Sequence, residues 1–376
     1  MRIVTHLTGL ALALGPCALS GCARSPAAAS GVEAETVARK LESVWSLAFA
    51  PDGRIFLTER PGRIRVIRHD SLLPAPWATL PVYESAARNI ESGLMGLALD
   101  PAFATTHRVY VCYTEPGASG PAENRIAVLT EQGGQAGPPR VLLPGIPAGI
   151  YHDGCRLRFG PDGKLYATTG DATGTPADAG AAQDTASLAG KVLRLNPDGS
   201  VPADNPFPRS YIWSYGHRNP QGLAFEPGGG RLVATEHGTG GTGNNELNII
   251  ERGRNYGWPT VIGAARDPRF VDPVYVGDDA PAGASFVTGD RYPELRGMLL
   301  VAAINPPRLL AFRIGSGAQP SVQRRVLVDG AWGRLRDVVQ GPDGFVYIVT
   351  SNRDGRGKPA PDDDRVIRIR ALPRSP

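Results

Sequence analysis

The sequence predicts an all-β chain, a six-bladed β-propeller of four-stranded antiparallel blades over residues 37–372. Three observations predict it. Turn residues are abundant beside an ordinary apolar content: 47 Gly and 35 Pro in 376 residues, with 41% hydrophobic and 20% charged side chains. Gly and Pro usually make up about 12% of a chain. Nearly twice that share, with enough apolar material for a core, means many turns rather than disorder. It also excludes helical bundles and coiled coils, which Gly and Pro interrupt. Secondly, a strand–turn–strand unit recurs: SLAFAPDGRIFLTER (46–60), GLALDPAFATTHRVYVCYT (96–114), RLRFGPDGKLYATTGD (156–171), GLAFEPGGGRLVATEHG (222–238), a looser RYPELRGMLLVAA (291–303) and DVVQGPDGFVYIVTSN (337–352). Thirdly, the turn prolines fall at 51, 101, 161, 227, 293 and 342, a period of about 50–66 residues, as expected of blades with four strands each.

Taken in order, the first thirty residues read as an address. Arg2 precedes an apolar run from Leu7 to Leu19. The run is too short for a bilayer-spanning helix of about 20 residues and suits an export signal. Leu19-Ser20-Gly21-Cys22 is similar to a bacterial lipoprotein cleavage box. The expectation is a signal peptide over 1–21, a lipid on Cys22, and a periplasmic protein anchored to the bacterial envelope through that lipid alone. Residues 22–36, rich in Ala and Ser, read as a flexible tether. Export would leave Cys112 and Cys155 in an oxidising compartment. Each lies in a strand-like run, and the pair reads either as a disulfide or as two buried thiols.

Within the repeats, Pro-Asp-Gly recurs because Pro presets φ at the first turn position and Gly supplies the positive φ of a tight hairpin. Further strands are visible at GRIRVIR (62–68), GKVLRLN (190–196), RLLAFRI (308–314) and RVIRIRA (365–371), and no amphipathic helix longer than two turns is expected. The period exceeds the roughly 40–45 residues of short-repeat propellers, so the surplus lies in loops, where function concentrates on a rigid scaffold. A formal charge of +4, with 36 acidic residues spread along the chain, argues against a nucleic-acid partner, which would call for a basic patch.

Gly238-Thr239-Gly240-Gly241-Thr242-Gly243 matches G-x-G-x-x-G but lacks the helix and the later acid of a dinucleotide site. No Walker A loop, H-E-x-x-H, G-x-S-x-G or EF-hand loop is present. His152 stands just before an inner strand, and Asp171 at the end of the same hairpin. A hairpin returns its chain near its start, so the carboxylate can orient the imidazole as a general base; the spacing by itself, in a chain with six His, favours a surface-loop histidine. Trp213–Gly222 is dense in polar side chains and reads as part of a site or as a structural turn. Arg334 and Arg336 face one side of a strand. They suit a multiply charged carboxylate ligand or form a solvated edge pair.

Six segments together carry a family resemblance: Glu91–Leu97, 152–171, 190–207, 215–225, 234–259 and 334–344. From about residue 40 to 370 the chain resembles the soluble pyrroloquinoline quinone (PQQ)-dependent aldose dehydrogenases of the glucose/sorbosone dehydrogenase group. The resemblance implies a six-bladed propeller that oxidises an aldose at C1 to its lactone and passes electrons to a quinone or cytochrome acceptor. It implies that His152 is the base, supported by Asp171, with hydride transfer to the quinone. Glu91, Arg218 and Asn219 would lie against cofactor and substrate, and Arg334 and Arg336 would hold the PQQ carboxylates. Backbone carbonyls of Gly238 and Thr239 would hold a Ca²⁺, and Glu246 and Tyr256 fall where some relatives bind a structural Ca²⁺. Such oxygen donors suit Ca²⁺, which acts as a Lewis acid at a quinone oxygen.

The chain departs from this pattern at several positions. Asn305 stands where glucose-specific members place a cofactor-gripping Lys, which exchanges a cation for a neutral amide. Thr239 replaces a common Pro, the loop after Gly238 is about two residues longer than usual, and Asn245 replaces a frequent Asp. The competing readings are a non-catalytic envelope propeller serving as a binding scaffold, and a Ca²⁺-dependent lactonase.

Overall fold

A computed structural model describes residues 31–372, except 84–90, 117–121, 174–175, 229, 240–242 and 318, and the side chains of 176–178. The expected signal peptide, Cys22 and the glycines at 240 and 241 lie outside the described residues. Six antiparallel sheets form in chain order. Their innermost strands are Val44–Phe49, Leu94–Leu99, Gly154–Phe159, Pro220–Phe225, Ala280–Phe286 and Leu335–Gln340, for blades 1 to 6. Each packs against the next, and the sixth packs against the first, which closes a ring. The expected further strands are present as the third strands of blades 1, 3, 5 and 6. Among the described residues helix is confined to Phe103–Thr106 and the 3-10 turns Pro176–Ala182 and Pro293–Leu295. Among the described residues no helix is long and apolar enough to cross a membrane.

The ring closes with its own amino-terminal segment. Glu33–Ala38 is the outermost strand of blade 6, antiparallel to Val366–Ala371. This corrects the tether expected over 22–36, because the propeller begins at 33 rather than 37. Glu33 and Ala34 are exposed and Glu35 and Thr36 half-buried, as suits an edge strand, so the segment reads locally as a linker. Its partners lie at the other end of the chain: Glu35 takes charge-assisted hydrogen bonds from Arg368 and Arg370.

The core is built between blades rather than within one. Apolar clusters bridge blades 1 and 2 through Phe56, Trp77, Phe103 and Val111, and blades 5 and 6 through Leu300, Leu309, Val338 and Ile348. Cys112 on the second strand of blade 2 is disulfide-bonded to Cys155 on the inner strand of blade 3, with Cα atoms 5.9 Å apart. Of the two readings left open by the sequence, the structure takes the cross-link.

At the axis the inner strands approach so closely that side chains of opposite blades meet. Arg156 of blade 3 is wholly buried. Its Nη1 donates to Asp337 Oδ2 of blade 6 at 2.8 Å and to Ser46 Oγ of blade 1 at 3.0 Å, while its Nε donates to the Gln221 carbonyl of blade 4 at 2.9 Å. The guanidinium carbon stands 4.1 Å from the centre of the Trp45 ring. Gly283 of blade 5 is required beside this pair, because a Cβ there would overlap Asp337 Oδ1. Burial lowers the Arg156 pKa, against the pull of Asp337, to about 10, so the group stays charged at neutral pH.

Removing one partner of a buried ion pair strands the other charge, at a typical cost of about 3–5 kcal/mol, whereas replacing both by apolar groups is often neutral. Arg156→Met should therefore lower unfolding stability by roughly that amount. Arg156→Met combined with Asp337→Leu should recover much of it, as read by urea unfolding. Equal losses in the two variants would contradict this account.

Candidate active site

Above the axial pair, loops of all but blade 5 supply polar groups to one mouth. His152 lies in the loop entering blade 3 and has φ 64°. Its backbone N–H donates to Glu91 Oε2 at 2.9 Å, which holds the left-handed turn. Imidazole Nδ1 is 2.8 Å from Asp171 Oδ1. A buried carboxylate at that distance places the ring proton on Nδ1 and leaves Nε2 as the acceptor. Nε2 has no hydrogen-bond partner among the described residues. The hairpin thus joins His152 and Asp171 as expected. Asp171 is buried, and its Oδ2 accepts from Trp258 Nε1 at 2.7 Å.

Blade 4 repeats the arrangement. His217 precedes its inner strand and contacts Glu236 through Nδ1 at 3.0 Å, nineteen residues apart, like His152 and Asp171. The copies differ in access. His217 is fully buried, its Nε2 is 2.8 Å from Ser214 Oγ, and its ring stacks on Tyr256 at 4.6 Å. Only the blade 3 copy presents a free basic nitrogen.

The cations come next. Arg336 Nη1 donates to Gln221 Oε1 at 3.2 Å and its Nη2 to Asp354 Oδ2 at 3.3 Å. Arg334 Nε donates to the same Asp354 oxygen at 2.9 Å and its Nη1 to the Ile304 carbonyl at 3.3 Å. Arg218 Nη1 donates to the His237 carbonyl at 3.0 Å, and the guanidinium lies 5.3 Å from the Trp258 ring centre. Yet Arg218 Nε, Arg336 Nε and His237 Nε2 are buried with no partner among the described residues. Buried polar atoms are normally paired, so these three reserve contacts for a ligand. Burial lowers the Arg336 pKa, against the pull of Asp354, to about 10, and burial lowers that of Arg218. Burial also drives the His237 imidazole well below its ordinary value, past the opposing pull of Glu91, so it is neutral.

Glu91 lies between the cations and the base. Burial raises its carboxyl, but the electrostatic pull of the His237 and His152 rings and of the Arg356 and Arg336 guanidinium groups prevails and lowers it. The ionised group also accepts from Asn219 Nδ2 at 3.0 Å. Asn219 Oδ1 accepts from Gly154 N and from Gln221 Nε2, so this amide ties the inner strand of blade 4 to Glu91 and to the loop that carries His152. Asn305 is exposed at the end of the second strand of blade 5, and its side chain makes no hydrogen bond among the described residues; only the adjoining Ile304 carbonyl reaches the cluster.

The groups expected at metal sites fall in and around one pocket, which Gly238, Thr239, Glu246 and Tyr256 line with Glu236, Arg218 and Trp258. Glu246 is pushed well above the carboxylate range by burial and then by the charge of Glu236. The Tyr256 hydroxyl is committed elsewhere, donating to the Ile249 carbonyl at 2.6 Å and accepting from Glu251 N at 2.8 Å. Among the described residues no group of three or more His, Cys, Asp or Glu side chains converges on a metal position.

The sequence reading missed Arg60, Arg356, His237, Asp354 and Trp258. Arg356 Nη1 stands 3.7 Å from Glu91 Oε1. Arg60 has Asp354, Glu91, Arg356 and Asp153 as electrostatic neighbours. One signal could have found some of them. Arg60, Asp171 and His237 occupy the same place in the hairpins of blades 1, 3 and 4, two residues after a Thr in Thr58-Glu59-Arg60, Thr169-Gly170-Asp171 and Thr235-Glu236-His237.

Comparison with known proteins follows this geometry. Residues 41–359 match the family described as Glucose / Sorbosone dehydrogenase. The chain belongs to this family. With it the chain joins the oxidoreductases that act on a sugar CH–OH group. Aldose sugar dehydrogenase YliI of Escherichia coli is 32% identical over 355 residues, covering 88% of this chain and 92% of its own. Among solved structures, the PQQ-bound form of an aldose sugar dehydrogenase from Streptomyces coelicolor is 36% identical with a TM-score of 0.79, over 91% of this chain and 98% of that one. An oxidoreductase (glucose dehydrogenase) from Thermus is 42% identical with a TM-score of 0.81, over 90% and 100%.

One further acid stands next to His152. Asp153 is buried, accepting from Gly149 N and Asn124 Nδ2, each at 3.1 Å, and from Ser92 Oγ at 3.4 Å. Burial, then the charge of Glu91, raises its carboxyl from 3.8 to about 7, against those hydrogen bonds. The folded chain therefore keeps a proton that the unfolded chain releases, and stability falls as pH rises from about 4 to 7. The full span corresponds to at most about 4 kcal/mol. Asp153→Asn should remove this slope, so its melting temperature relative to the parent should climb across that window and level off above it. Parallel pH–melting curves would refute the assignment.

Proposed function

We propose that this family member oxidises an aldose at C1 to its lactone, with PQQ as cofactor, Ca²⁺ as metal and His152 as general base. The observation that carries the reading is the open Nε2 of His152, backed by Asp171, in a mouth with unpaired guanidinium edges at Arg218 and Arg336. A planar ligand with several carboxylates fits those edges, since Arg binds carboxylates in a fork. Arg334 and Arg336 would hold such carboxylates and Arg218 the polar edge of the ring system. The PQQ-bound Streptomyces relative supports this choice.

PQQ, when bound, supplies the acceptor for the C1 hydrogen and its electron pair. The residues of this chain do the remainder. His152 accepts the C1 hydroxyl proton at Nε2, and Asp171 retains the Nδ1 proton and stabilises the imidazolium that forms. Glu91 and Asn219 hold the base loop in its left-handed turn.

Calcium fits the donor chemistry here. Backbone carbonyls of Gly238 and Thr239 are hard oxygen donors, and the buried Glu236 and Glu246 carboxylates form an acid pair that a cation would relieve. Tyr256 could serve only through its carbonyl, because its hydroxyl is spent.

With PQQ and Ca²⁺ added, the purified chain should reduce an artificial electron acceptor with aldoses. His152→Ala should cut kcat by about 100-fold or more while PQQ still binds, and Asp267→Ala, at a distant surface turn, should behave as the parent. Failure of the parent to bind PQQ, measured by calorimetry, would end the reading.

The export reading belongs to this proposal: a signal peptide over 1–21, a lipid on Cys22 and a periplasmic location. The buried Cys112–Cys155 disulfide supports it, since such bonds persist in oxidising compartments. Cell fractionation should place the full chain with membranes, and Cys22→Ser should abolish incorporation of labelled fatty acid. Recovery of unlabelled parent protein from the cytosol would overturn it.

A further inference from the structure

Trp258 touches the site from a direction that the reaction itself does not call for. It lies in the loop after the third strand of blade 4, Asn245–Ile250, within Arg254-Asn255-Tyr256-Gly257-Trp258-Pro259. The ring is 5% exposed and packs on Ala179 and Ala182 of the 3-10 turn. Its Nε1–H donates to Asp171 Oδ2 at 2.7 Å, and its face lies under Arg218 at 5.3 Å. One indole thus contacts both the partner of the base and a cation expected at the cofactor.

The indole is held rigidly. Gln183 Nε2 donates to the Trp258 carbonyl at 2.6 Å, and Trp258 N donates to the Gly216 carbonyl at 3.0 Å. The Gln183 and Asn255 amides exchange hydrogen bonds at 3.1 and 2.8 Å. The turn carrying Ala182 is tied down by Lys191, whose buried ammonium donates to the carbonyls of Ala181, Ala182 and Ala189.

We propose that Trp258 is a positioning residue that sets the plane of the Asp171 carboxylate, and through it the direction of the His152 base, while fixing Arg218 on the same plate. This rests on the proposed sugar oxidation. The physical reason is geometric. A carboxylate held through one oxygen can turn about its terminal torsion, which has only a broad preference. Asp171 is held through both. Oδ1 meets His152 Nδ1 and accepts from Thr173 N at 3.0 Å, and Oδ2 accepts from Trp258. The Nδ1–H direction is thereby fixed, and with it the Nε2 lone pair on the opposite side of the ring.

Trp258→Phe removes one N–H and keeps a ring under Arg218. Replacement of Trp258 by β-(3-benzothienyl)alanine removes the N–H and keeps the full shape, which decides the matter should the Phe variant fold poorly. In both, kcat should fall about 10- to 100-fold, as for a misplaced reacting group. PQQ affinity measured by calorimetry and KM for the sugar should stay within about threefold, since the ring and the cations remain. The acid limb of the kcat/KM–pH profile should move to higher pH, because the unshared charge on Asp171 favours the protonated imidazole. The other charged or titratable groups around this pair, namely Glu91, Asp153, His237, Arg218, Arg336 and Arg356, are unchanged. In an Asp171→Asn background the indole substitution should cost nothing further in kcat. Parent-like kcat and pH profile, or a loss additive with Asp171→Asn, would overturn the proposal.

A readout without turnover separates this inference from the functional reading. In the apoprotein, the NMR signal of the His152 Nδ1 proton should shift or broaden when the indole N–H is lost. An unchanged signal overturns the proposal even if sugar oxidation is observed. A changed signal upholds the positioning even if no sugar is oxidised.

Discussion

The Arg156–Asp337 pair joins blade 3 to blade 6 across the axis, and Ser46 and Gln221 bring in blades 1 and 4. Each inner strand packs against the next around the ring, and this pair adds a contact between blades that are not neighbours. Both of its members are wholly buried, and their close approach requires Gly283 beside Asp337. The mouth is built upon it. Gln221, whose carbonyl accepts from Arg156, uses its side chain to hold Arg336 and Asn219. Asn219 braces Glu91 and the base loop. Four hydrogen bonds in series thus lead from the axial arginine to the backbone of His152.

The site concentrates positive charge on a chain whose net charge is only +4. Arg60, Arg218, Arg334, Arg336 and Arg356 converge on the mouth, and Glu91 and Asp354 offset them in part. Exposed cations would be screened and cheaply hydrated. Here the guanidinium groups are mostly buried, and several nitrogens are left without protein partners. Such a cluster is costly unless a polyanion occupies it. The resemblance to PQQ enzymes and the orphaned nitrogens point to the same ligand by independent routes.

Much of the fold was legible because a propeller repeats its hairpin. Pro-Asp-Gly turns and paired apolar runs are local features, and they marked the blades and the third strands. The closing strand at Glu33–Ala38 was not legible, since its partner at Val366–Ala371 is remote and its own residues are those of a linker. The site was legible where one hairpin supplies both members, as with His152 and Asp171. It was illegible where separate blades supply them, as with Arg60, Asp354 and Trp258. Similarity to known enzymes reached Glu91, Arg218, Arg334 and Arg336, yet it did not tell that the Asn219 amide is spent within the protein.

The two acid–imidazole pairs show most directly what each level decides. Sequence alone placed His152 before one hairpin with Asp171 at its end; the same spacing of His217 and Glu236 in the next repeat was recognised only from the structure. Both pairings follow from hairpin geometry, a local property of backbone and turn. Only the tertiary structure decided which imidazole keeps an open nitrogen. Ser214 and Tyr256 seal His217, while Glu91, reaching over from blade 2, takes the backbone of His152 and leaves its Nε2 open. Access and charge at a nitrogen depend on neighbours from other blades, and those neighbours are set by how the ring closes rather than by the hairpin itself.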